Sequence, residues 1–310
     1  MTITEKIENI ASISPSVDFP DFESLVSNQE MLKNIFQNEG AIRLHGFNVE
    51  SPEQFRKIAA CFADDLSSEN GEHDPLPAVK GIYTPVNYSS KEKLLWHNEN
   101  SFNYSWPLVI MFCCIQPAKE GGETPLVDSR KILAEIDKNI VDEFFRKNVM
   151  YVRTHGFGFG RSWQETYQVA SRQALEMRCK KESIQLEWRG DNQLITKQVR
   201  PAIIKHPKTG ELSWFNQAQH WHPYCLRPEV RTSLMQIMSE DELPRNCYFG
   251  DGSVISDDIM RHILGAYQKL EFSFPWQKGD VMVVDNVLFA HARNSYIGER
   301  KLWVTVGGYQ

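Results

Sequence analysis

Two short polar segments hold the residues whose types and spacing could bind a metal ion. His97 and Glu99 stand two positions apart in the segment WHNENSF. On an extended strand, side chains two residues apart leave from the same face, so this imidazole and this carboxylate can reach one ion. His291 directly follows the apolar run VMVVDNVLFA, which predicts a third ligand where a strand ends. Two histidines and one carboxylate on one face of a metal leave three positions open, as in non-haem iron oxygenases.

The pattern also has plainer interpretations. One H-x-E motif arises by chance about once in a chain with this many histidines and acids. In that case His97 is a partly buried histidine with its hydrogen bonds satisfied, and Glu99 is a solvated acid. A second pair, His220 and His222 in FNQAQHWHP, could instead indicate a cupin-type metal site. No glutamate follows that pair at the cupin spacing, which favours the first set.

Two further residues have the chemistry to bind a carboxylate. Thr124 lies just past the glycine pair in GGETPLVDSR, where its hydroxyl could donate a hydrogen bond. Arg300 follows His291 by nine positions, and its planar guanidinium suits bidentate pairing with the same carboxylate. Together they predict a site for a dicarboxylate co-substrate. Taken singly, Thr124 is better interpreted as an ordinary turn residue, and Arg300 as an ordinary surface arginine.

The elements that must position these residues are mostly short strands. Strands are predicted at 41–44, 108–115, 193–204, 212–215, 281–284 and 302–307. Capping boxes that begin at Ser51 and Ser162 predict a helix from residue 52 and another from 163 to about 181, and a third helix is predicted at 256–270. Many short strands without regular strand-helix alternation predict a mainly β fold with flanking helices, a double-stranded β-helix or jelly roll.

Length and composition favour one globular domain. A chain of 310 residues that is 41% hydrophobic can bury a large core without disulfide or metal staples. No repeat, low-complexity tract or Pro/Gly/Ser-rich linker divides it, so we predict a single domain over 1–310 with a helical or lid insertion at roughly 130–190. The six cysteines form no C-x-x-C pair, which indicates buried thiols rather than a disulfide framework.

Charge and hydropathy narrow the classes of partner. The net charge of -6 is spread along the chain, which disfavours nucleic acid and anionic membranes. The N-terminal segment lacks a basic region followed by an apolar run, and no stretch of about 18 apolar residues occurs. The sequence therefore predicts a cytoplasmic protein that acts on a small molecule, and it leaves the oligomeric state open.

Several separated motifs resemble the taurine dioxygenase and clavaminate synthase-like superfamily of iron(II), 2-oxoglutarate-dependent oxygenases. They follow one another in the family's order across nearly the whole chain: WHNENSF, GGETPLVDSR, GFGRSWQETYQ, EWRGDNQLITKQVRPAIIKHPKTGELSWFNQAQHWHP, CYFGDGS and DNVLFAHARNSYIGERK. The chain is most similar to bacterial amino-acid hydroxylases that accompany nonribosomal peptide pathways. The resemblance implies that His97, Glu99 and His291 bind iron(II), and that Thr124 and Arg300 hold the distal carboxylate of 2-oxoglutarate.

The chain departs from taurine dioxygenase at two positions. Glu99 stands where taurine dioxygenase has aspartate, although glutamate is familiar among the amino-acid hydroxylases. Related halogenases have alanine or glycine there, so this carboxylate favours hydroxylation over halogenation. Val304 stands where taurine dioxygenase has a second arginine that grips an acidic substrate group. The substrate's carboxylate is therefore expected to be held elsewhere or to be masked by a thioester to a carrier protein.

The resemblance implies a reaction in which dioxygen and 2-oxoglutarate yield succinate and carbon dioxide while an unactivated C-H bond is hydroxylated. The expected substrate is an amino acid or an amino-acid-derived molecule of specialised metabolism, free or carrier-tethered. The same chemistry can instead desaturate, cyclise or epimerise. A rival from another class is a metal-free or zinc-bound jelly-roll binding protein that has lost this activity. The intact metal-ligand set and Arg300 argue against that rival.

Residues expected to contact the substrate lie in segments that resemble the surroundings of the family's active site. They are Phe215, Asn216, Gln217, Asp191, Asp251 and Arg293. The first three could line the pocket, with packing and turn roles as equal alternatives. Both aspartates sit in glycine-flanked turns, where aspartate commonly bonds its own backbone, and either could pair with a substrate amine. Arg293 would share the face of His291 and could contact 2-oxoglutarate, the substrate or Asp285.

Overall fold

The computed structural model describes residues 5–7, 10–66, 74–77, 79–85, 87–158, 160–190 and 192–310. Asp191 lies outside these described residues. The chain divides into two units. The first comprises Met1–Glu99, Ser105–Asp128 and Glu271–Gln310, and the second comprises Asn100–Tyr104 and Ser129–Leu270.

Strands occur throughout both units. In chain order they are β1 (Glu5–Ile7), β2 (Ile10–Ile13), β3 (Ala41–Leu44), β4 (Asp74–Pro75), β5 (Tyr83–Thr84), β6 (Leu94–His97), β7 (Pro107–Gln116), β8 (Glu120–Gly121), β9 (Leu126–Asp128), β10 (Val149–His155), β11 (Gln185–Arg189), β12 (Gln193–Arg200), β13 (Ile203–Lys205), β14 (Leu212–Trp214), β15 (Arg245–Phe249), β16 (Val281–Asp285), β17 (Phe289–Arg293), β18 (Tyr296–Ile297) and β19 (Lys301–Tyr309).

Helices flank these strands. They are α1 (Phe22–Ser27), α2 (Gln29–Glu39), α3 (Pro52–Ala60), α4 (Ser129–Glu135), α5 (Lys138–Lys147), α6 (Trp163–Tyr167), α7 (Arg172–Lys181), α8 (Ala218–Trp221), α9 (Pro228–Ile237) and α10 (Asp257–Leu270), with short 3-10 turns at Pro223–Cys225 and Glu240–Glu242. None of the helices in the described part of the chain combines the length and apolar character needed to span a bilayer.

Over its described residues, the first unit contains three sheets. The largest has the strand order β1-β2-β3-β16-β7-β19-β5-β4, the second has the order β6-β17-β9, and the third pairs β18 with β8. The chain passes from the first of these sheets to the second between β16 and β17. Asp285 Oδ1 accepts hydrogen bonds there from the backbone N–H groups of Val287 (2.9 Å) and Leu288 (3.0 Å), so β16 ends in an aspartate turn.

The second unit is built around a four-stranded antiparallel sheet with the order β11-β12-β10-β15. Helices α6 and α7 pack apolar side chains with the end of β12, and the cluster includes Trp163, Tyr167, Leu175, Cys179 and Leu194. The single helix predicted over 163–181 is wrong. Gln168 has a positive φ of 52° and ends α6, and Ser171 then caps α7.

All six cysteines are free thiols, and all but Cys225 are buried. Burial raises the pKa of the Cys114 thiol to about 12, and the nearby carboxylate of Asp280 adds to that shift. Such thiols stay protonated and behave as small apolar side chains.

Candidate metal centre

The pairing of β6 with β17 brings His97 and His291 together. The two residues are direct partners across this antiparallel pair. Side chains of directly opposed residues share one face of a sheet, and the two imidazole ring centroids lie 4.2 Å apart. His291 lies inside β17 rather than just past a strand end, so that expectation is wrong. The aspartate turn at 285–288 divides the apolar run and starts a new strand.

Glu99 lies in a turn just after β6, and the buried side chain of Asn286 holds its backbone. Asn286 Oδ1 accepts a hydrogen bond from the Glu99 backbone N–H (2.5 Å), and Asn286 Nδ2 donates to the Glu99 carbonyl (2.9 Å) and to the Pro107 carbonyl (2.8 Å). The Asn98 side chain in turn donates to the Asn286 carbonyl (2.7 Å). One asparagine, itself 0% exposed, therefore fixes the position of a candidate ligand.

The three side chains fit one metal ion by type and spacing. Glu99 Oε2 lies 3.8 Å from His97 Nε2 and 3.9 Å from His291 Nε2. Both separations are under about 4.2 Å, the largest distance possible between two ligand atoms that each lie about 2.1 Å from a shared ion. A hydrogen bond between His97 Nδ1 and the Leu95 carbonyl (2.9 Å) leaves Nε2 as the nitrogen that faces Glu99. Two imidazoles and one carboxylate suit iron(II) with open positions.

The rival histidine pair does not form a comparable group. His97, Glu99 and His291 are the one set of three or more histidine, cysteine or acidic side chains with metal-like spacing in the described ranges. Both ring nitrogens of His222 are engaged in hydrogen bonds, one with the Ile255 carbonyl (2.8 Å) and one with the Tyr224 backbone N–H (3.1 Å). These bonds give His222 a structural role in the second unit.

Thr124 and Arg300 also come together in the first unit. Arg300 Nη2 donates to Thr124 Oγ1 (3.4 Å), and Arg300 Nε donates to the Gly122 carbonyl (2.7 Å). Gly122 has a φ of +76°, and an added Cβ would lie 2.9 Å from Arg300 Cδ, so glycine is needed for this approach. Burial, followed by the charge of Arg293, lowers the pKa of Arg300 to about 10. The guanidinium is thus a partly dehydrated cation that, among the described residues, donates hydrogen bonds to neutral oxygens alone.

Trp276 completes this group and was not anticipated from the sequence. Its indole Nε1 donates to Thr124 Oγ1 (3.1 Å), and the side chain is buried. The Thr124 oxygen therefore accepts from both Trp276 and Arg300, which leaves its own O–H to donate to a ligand. A carboxylate is the acceptor that such a hydroxyl and guanidinium would bind. No motif marks Trp276, because it lies outside the segments that carry the family resemblance.

Arg293 binds backbone carbonyls of a nearby loop, and its expected contact with 2-oxoglutarate or substrate remains a prediction. Its guanidinium donates to the backbone carbonyls of Tyr88 (3.0 Å), Ser89 (2.5 Å) and Glu92 (2.7 Å). These bonds hold the loop that precedes β6. A contact of Arg293 with substrate gains no support from this arrangement. Its expected neighbour Asp285 is engaged in the turn after β16.

The other expected substrate residues lie in the second unit. Asn216 is fully buried, with Nδ2 donating to the Ala202 carbonyl (3.1 Å) and Oδ1 accepting from the Ala218 backbone N–H (3.1 Å). The Gln217 backbone N–H donates to the Tyr151 hydroxyl (2.9 Å), and Phe215 is buried. These contacts account for packing and turn roles, and pocket-lining roles for the three remain predictions.

Asp251 is half-exposed and forms a local turn. Its carboxylate accepts from the backbone N–H of Ser253 (2.9 Å) and from the Ser253 hydroxyl, and it pairs with Lys147 (3.3 Å). The Ser253 hydrogen bonds, with a smaller contribution from Lys147, lower the pKa of Asp251 to about 2. The carboxylate is therefore ionised at neutral pH, and its contacts match the backbone-bonding alternative.

Val304, the position at which the resemblance would place a second arginine, is 0% exposed. It belongs to the apolar core of the first unit together with Phe112, Met282 and Val306. A valine in this environment cannot bind an acidic group. If the substrate carries a carboxylate, another residue must bind it.

Comparison with known proteins places the chain among oxygenases. The family model described as taurine catabolism dioxygenase TauD, TfdA family, matches residues 4–306. The dapdiamide synthesis protein DdaC of Enterobacter agglomerans is 35% identical over 276 residues, which is 89% of this chain and 84% of that protein. A clavaminate synthase-like protein of Arabidopsis thaliana is 26% identical over 300 residues, 93% of this chain and 88% of that protein.

Solved structures confirm the predicted fold class. PvcB from Pseudomonas aeruginosa superposes with a TM-score of 0.55 at 13% identity, covering 96% of this chain and 84% of that chain. An alpha-ketoglutarate-dependent taurine dioxygenase, described as putative, from Burkholderia xenovorans gives a TM-score of 0.53 at 12% identity, covering 98% and 90%. At these identities the likeness concerns the fold alone, a mainly β jelly roll with flanking helices.

Proposed function

The chain belongs to the TauD/TfdA family of dioxygenases, and on that premise we propose that it hydroxylates an unactivated C-H bond of an amino acid or amino-acid-derived molecule in specialised metabolism. The cofactor class follows from the family: the protein is an iron(II)- and 2-oxoglutarate-dependent dioxygenase. The substrate class is the proposal, with the substrate free or tethered to a carrier protein. Desaturation, cyclisation or epimerisation of the same substrate class is the alternative outcome.

His97, Glu99 and His291 would hold iron(II), which supplies activation of dioxygen at the expense of 2-oxoglutarate. The observation that carries this assignment is the placement of Glu99 Oε2 3.8 Å and 3.9 Å from the two imidazole nitrogens. Glu99 and His291 are each 5% exposed, so the site excludes bulk water from a reactive centre.

The co-substrate would be oriented by a second pair of residues. Arg300 supplies a partly dehydrated positive charge, and Thr124 supplies the hydroxyl proton that Trp276 and Arg300 leave free. Both donate to the same carboxylate in this proposal, which fixes the far end of 2-oxoglutarate. Neither residue transfers a proton, because an arginine stays protonated at neutral pH and a threonine hydroxyl does not ionise there.

Three observations bear on the proposed substrate and reaction. The relative DdaC takes part in dapdiamide synthesis, as its name states, and it covers most of this chain at 35% identity. The candidate ligand Glu99 is a carboxylate, which favours hydroxylation over halogenation. A simple acid bound by an arginine at position 304 is excluded, since Val304 is buried in the core.

The first experiment is anaerobic addition of iron(II) and 2-oxoglutarate to metal-free protein, followed by visible absorption. A weak charge-transfer band is expected when 2-oxoglutarate chelates iron held by the protein. His97→Ala should abolish the band, and His262→Ala, which removes a histidine from α10, should leave it intact. Absence of the band in the unchanged protein, or its persistence in His97→Ala, contradicts the metal assignment.

The mass of the product distinguishes hydroxylation from the alternative reactions. The loaded enzyme is incubated with free amino acids and with aminoacyl thioesters of a carrier protein, and succinate and the product mass are measured. Gain of one oxygen atom in step with succinate supports hydroxylation. Loss of two hydrogens supports desaturation or cyclisation, and an unchanged mass with inverted configuration supports epimerisation.

A further inference from the structure

One face of β10 in the second unit carries three side chains with hydrogen-bonding groups. Tyr151, Arg153 and His155 alternate along this strand, so all three project from the same face of the sheet. Tyr151 and His155 are almost fully buried, and Arg153 is half-buried. Charged side chains are seldom buried beside other buried side chains unless they have a partner of opposite charge.

Within the described residues, Arg153 has no carboxylate partner. Its guanidinium lies over the rings of Trp221, 5.0 Å from the centroid, and Phe102, 5.9 Å from the centroid. Its Nη2 atom is buried and has no hydrogen-bond acceptor within the ranges that the structure describes. A buried donor without an acceptor costs roughly 1–3 kcal/mol, and more when the group is charged. The fold thus maintains an unfavourable arrangement that a bound acceptor would relieve.

A second arginine lies opposite Arg153. Arg245 on β15 is the direct partner of Arg153 across the β10–β15 pair, and its guanidinium lies 5.4 Å from the centroid of the same Trp221 ring. Like charges directly opposite one another on adjacent strands destabilise a sheet. An anion near both guanidinium groups would reverse the sign of this interaction.

Aromatic side chains surround the cations. Trp221 packs against Phe102 and Tyr151, with ring centroids 5.2 Å and 5.1 Å away. The Trp221 Nε1–H is buried and, like Arg153 Nη2, has no acceptor in the described part of the chain. Two unused donors beside aromatic rings suit an acidic group attached to an organic molecule better than a hydrated inorganic ion.

His155 adds no positive charge to this face of β10 at physiological pH. Burial, with a smaller contribution from the charge of Arg153, lowers the pKa of His155 to about 4. Its Nδ1 bonds with the Arg161 carbonyl (3.0 Å), and the ring is neutral at physiological pH.

We propose that this face of β10 is an anion-binding site in which Arg153 and Trp221 bind the carboxylate of an amino-acid-derived small molecule. The site is defined by Phe102, Tyr151, Arg153, Trp221 and Arg245. Its ligand class rests on the proposed function, because amino-acid-derived molecules are the class on which the protein is proposed to act. Binding of a carboxylate by Arg153 itself requires neither iron nor 2-oxoglutarate.

The test compares a carboxylate with its uncharged amide in metal-free protein. Butyrate and butyramide are titrated while the melting temperature is recorded, and dissociation constants are obtained from the saturation of the shift. Butyrate should bind about 10- to 100-fold more tightly than butyramide, the range that a charge-assisted hydrogen bond supports. Equal affinities would overturn the proposal.

Variants locate the bound carboxylate. Arg153→Met should abolish the butyrate response, while Arg300→Met and Arg146→Met, the latter at an exposed position on α5, should retain it. Arg153→Lys keeps the charge but not the planar fork, so it should retain a weaker response even if the methionine variant folds poorly. A response lost in Arg300→Met and kept in Arg153→Met would overturn the proposal. Because no iron is present, this result is independent of the absorption test of the proposed function.

Discussion

Asn286, which is not a proposed ligand, fixes the backbone of the proposed ligand Glu99. Glu99 follows the end of β6, so no strand pairing fixes its backbone. Asn286 replaces that pairing, because its amide bonds with both the N–H and the carbonyl of Glu99. Groups that orient ligands commonly alter metal affinity by about 10- to 100-fold. The sequence offers only the polar dipeptide Asp285-Asn286 inside an apolar run, which does not predict a contact with Glu99.

We predict that Asn286→Asp weakens iron binding while preserving side-chain size. Aspartate keeps an acceptor for the Glu99 N–H but loses both donors, and it places negative charge against the carbonyls of Glu99 and Pro107. Metal affinity should fall about 10- to 100-fold, and the free energy of unfolding by about 2–4 kcal/mol from two lost buried bonds.

Competition with a chelator measures the affinity, and urea unfolding of metal-free protein measures the stability. Asn103→Asp serves as the matched control, because the Asn103 side chain bonds, among the described residues, to Asn100 Oδ1 alone (3.3 Å). Unchanged metal affinity in Asn286→Asp would show that Asn286 supports folding alone.

Thr124→Val tests the proposed hydroxyl donor with little change of shape. Valine removes the proton that we assign to the 2-oxoglutarate carboxylate and removes the acceptor used by Trp276 and Arg300. The apparent dissociation constant for 2-oxoglutarate should rise about 10- to 100-fold, as expected for a hydrogen bond to a charged group. Absorption titration provides the measurement, iron affinity should be unchanged, and Thr124→Ser should restore most of the binding. Equal affinities in the valine and serine variants would contradict the role of the hydroxyl.

At the scale of elements, strands and helices that follow from local apolar spacing and caps were predicted from the sequence. Interruptions of a strand or helix by a single residue were missed. The strand at Ala41–Leu44 and the helix at Asp257–Leu270 agree with their apolar spacing and caps. The strand predicted over 193–204 is interrupted at Pro201, which has no N–H for a ladder, and continues as β13. The apolar run before His291 likewise divides at Asp285. In both cases one residue interrupts a pattern that apolar spacing alone presents as continuous.

Strand β10 carries a pH-dependent contribution to stability. The pKa of His155 falls from 6.5 to about 4 in the folded protein because the ring is buried. Between these values the unfolded chain binds a proton that the folded chain does not, so the contribution is complete above pH 6.5 and is lost as the pH falls toward 4. The loss is at most about 3 kcal/mol.

Urea unfolding of metal-free protein between pH 4 and pH 7 measures this contribution. His155→Gln should flatten the decline in stability on the acid side. His262→Gln, on the half-exposed surface of α10, should leave it unchanged. An identical pH profile for the His155 variant and the unchanged protein would show that His155 is not the group responsible.

At the scale of the whole molecule, the residues proposed for the metal and for 2-oxoglutarate all lie in one unit. His97, Glu99, Thr124, His291 and Arg300 belong to the unit that includes both ends of the chain. The second unit enters the sequence directly after Glu99 and again at Ser129. This order separates two of the proposed metal ligands by a long segment, and the pairing of β6 with β17 brings them together. Assembly of the first unit is therefore the step on which metal binding depends.

Iron should consequently stabilise the folded chain in a way that distinguishes the two histidine pairs. Anaerobic iron(II) at about 100 times its dissociation constant should add about 2.7 kcal/mol to the free energy of unfolding, since it binds the folded state. Hydrogen exchange should slow in β6 and β17, which carry His97 and His291. His97→Ala should lose both effects, and His220→Ala should keep them. If His220→Ala lost both effects and His97→Ala kept them, the metal would belong to the second unit, and the proposed role of Glu99 would be wrong.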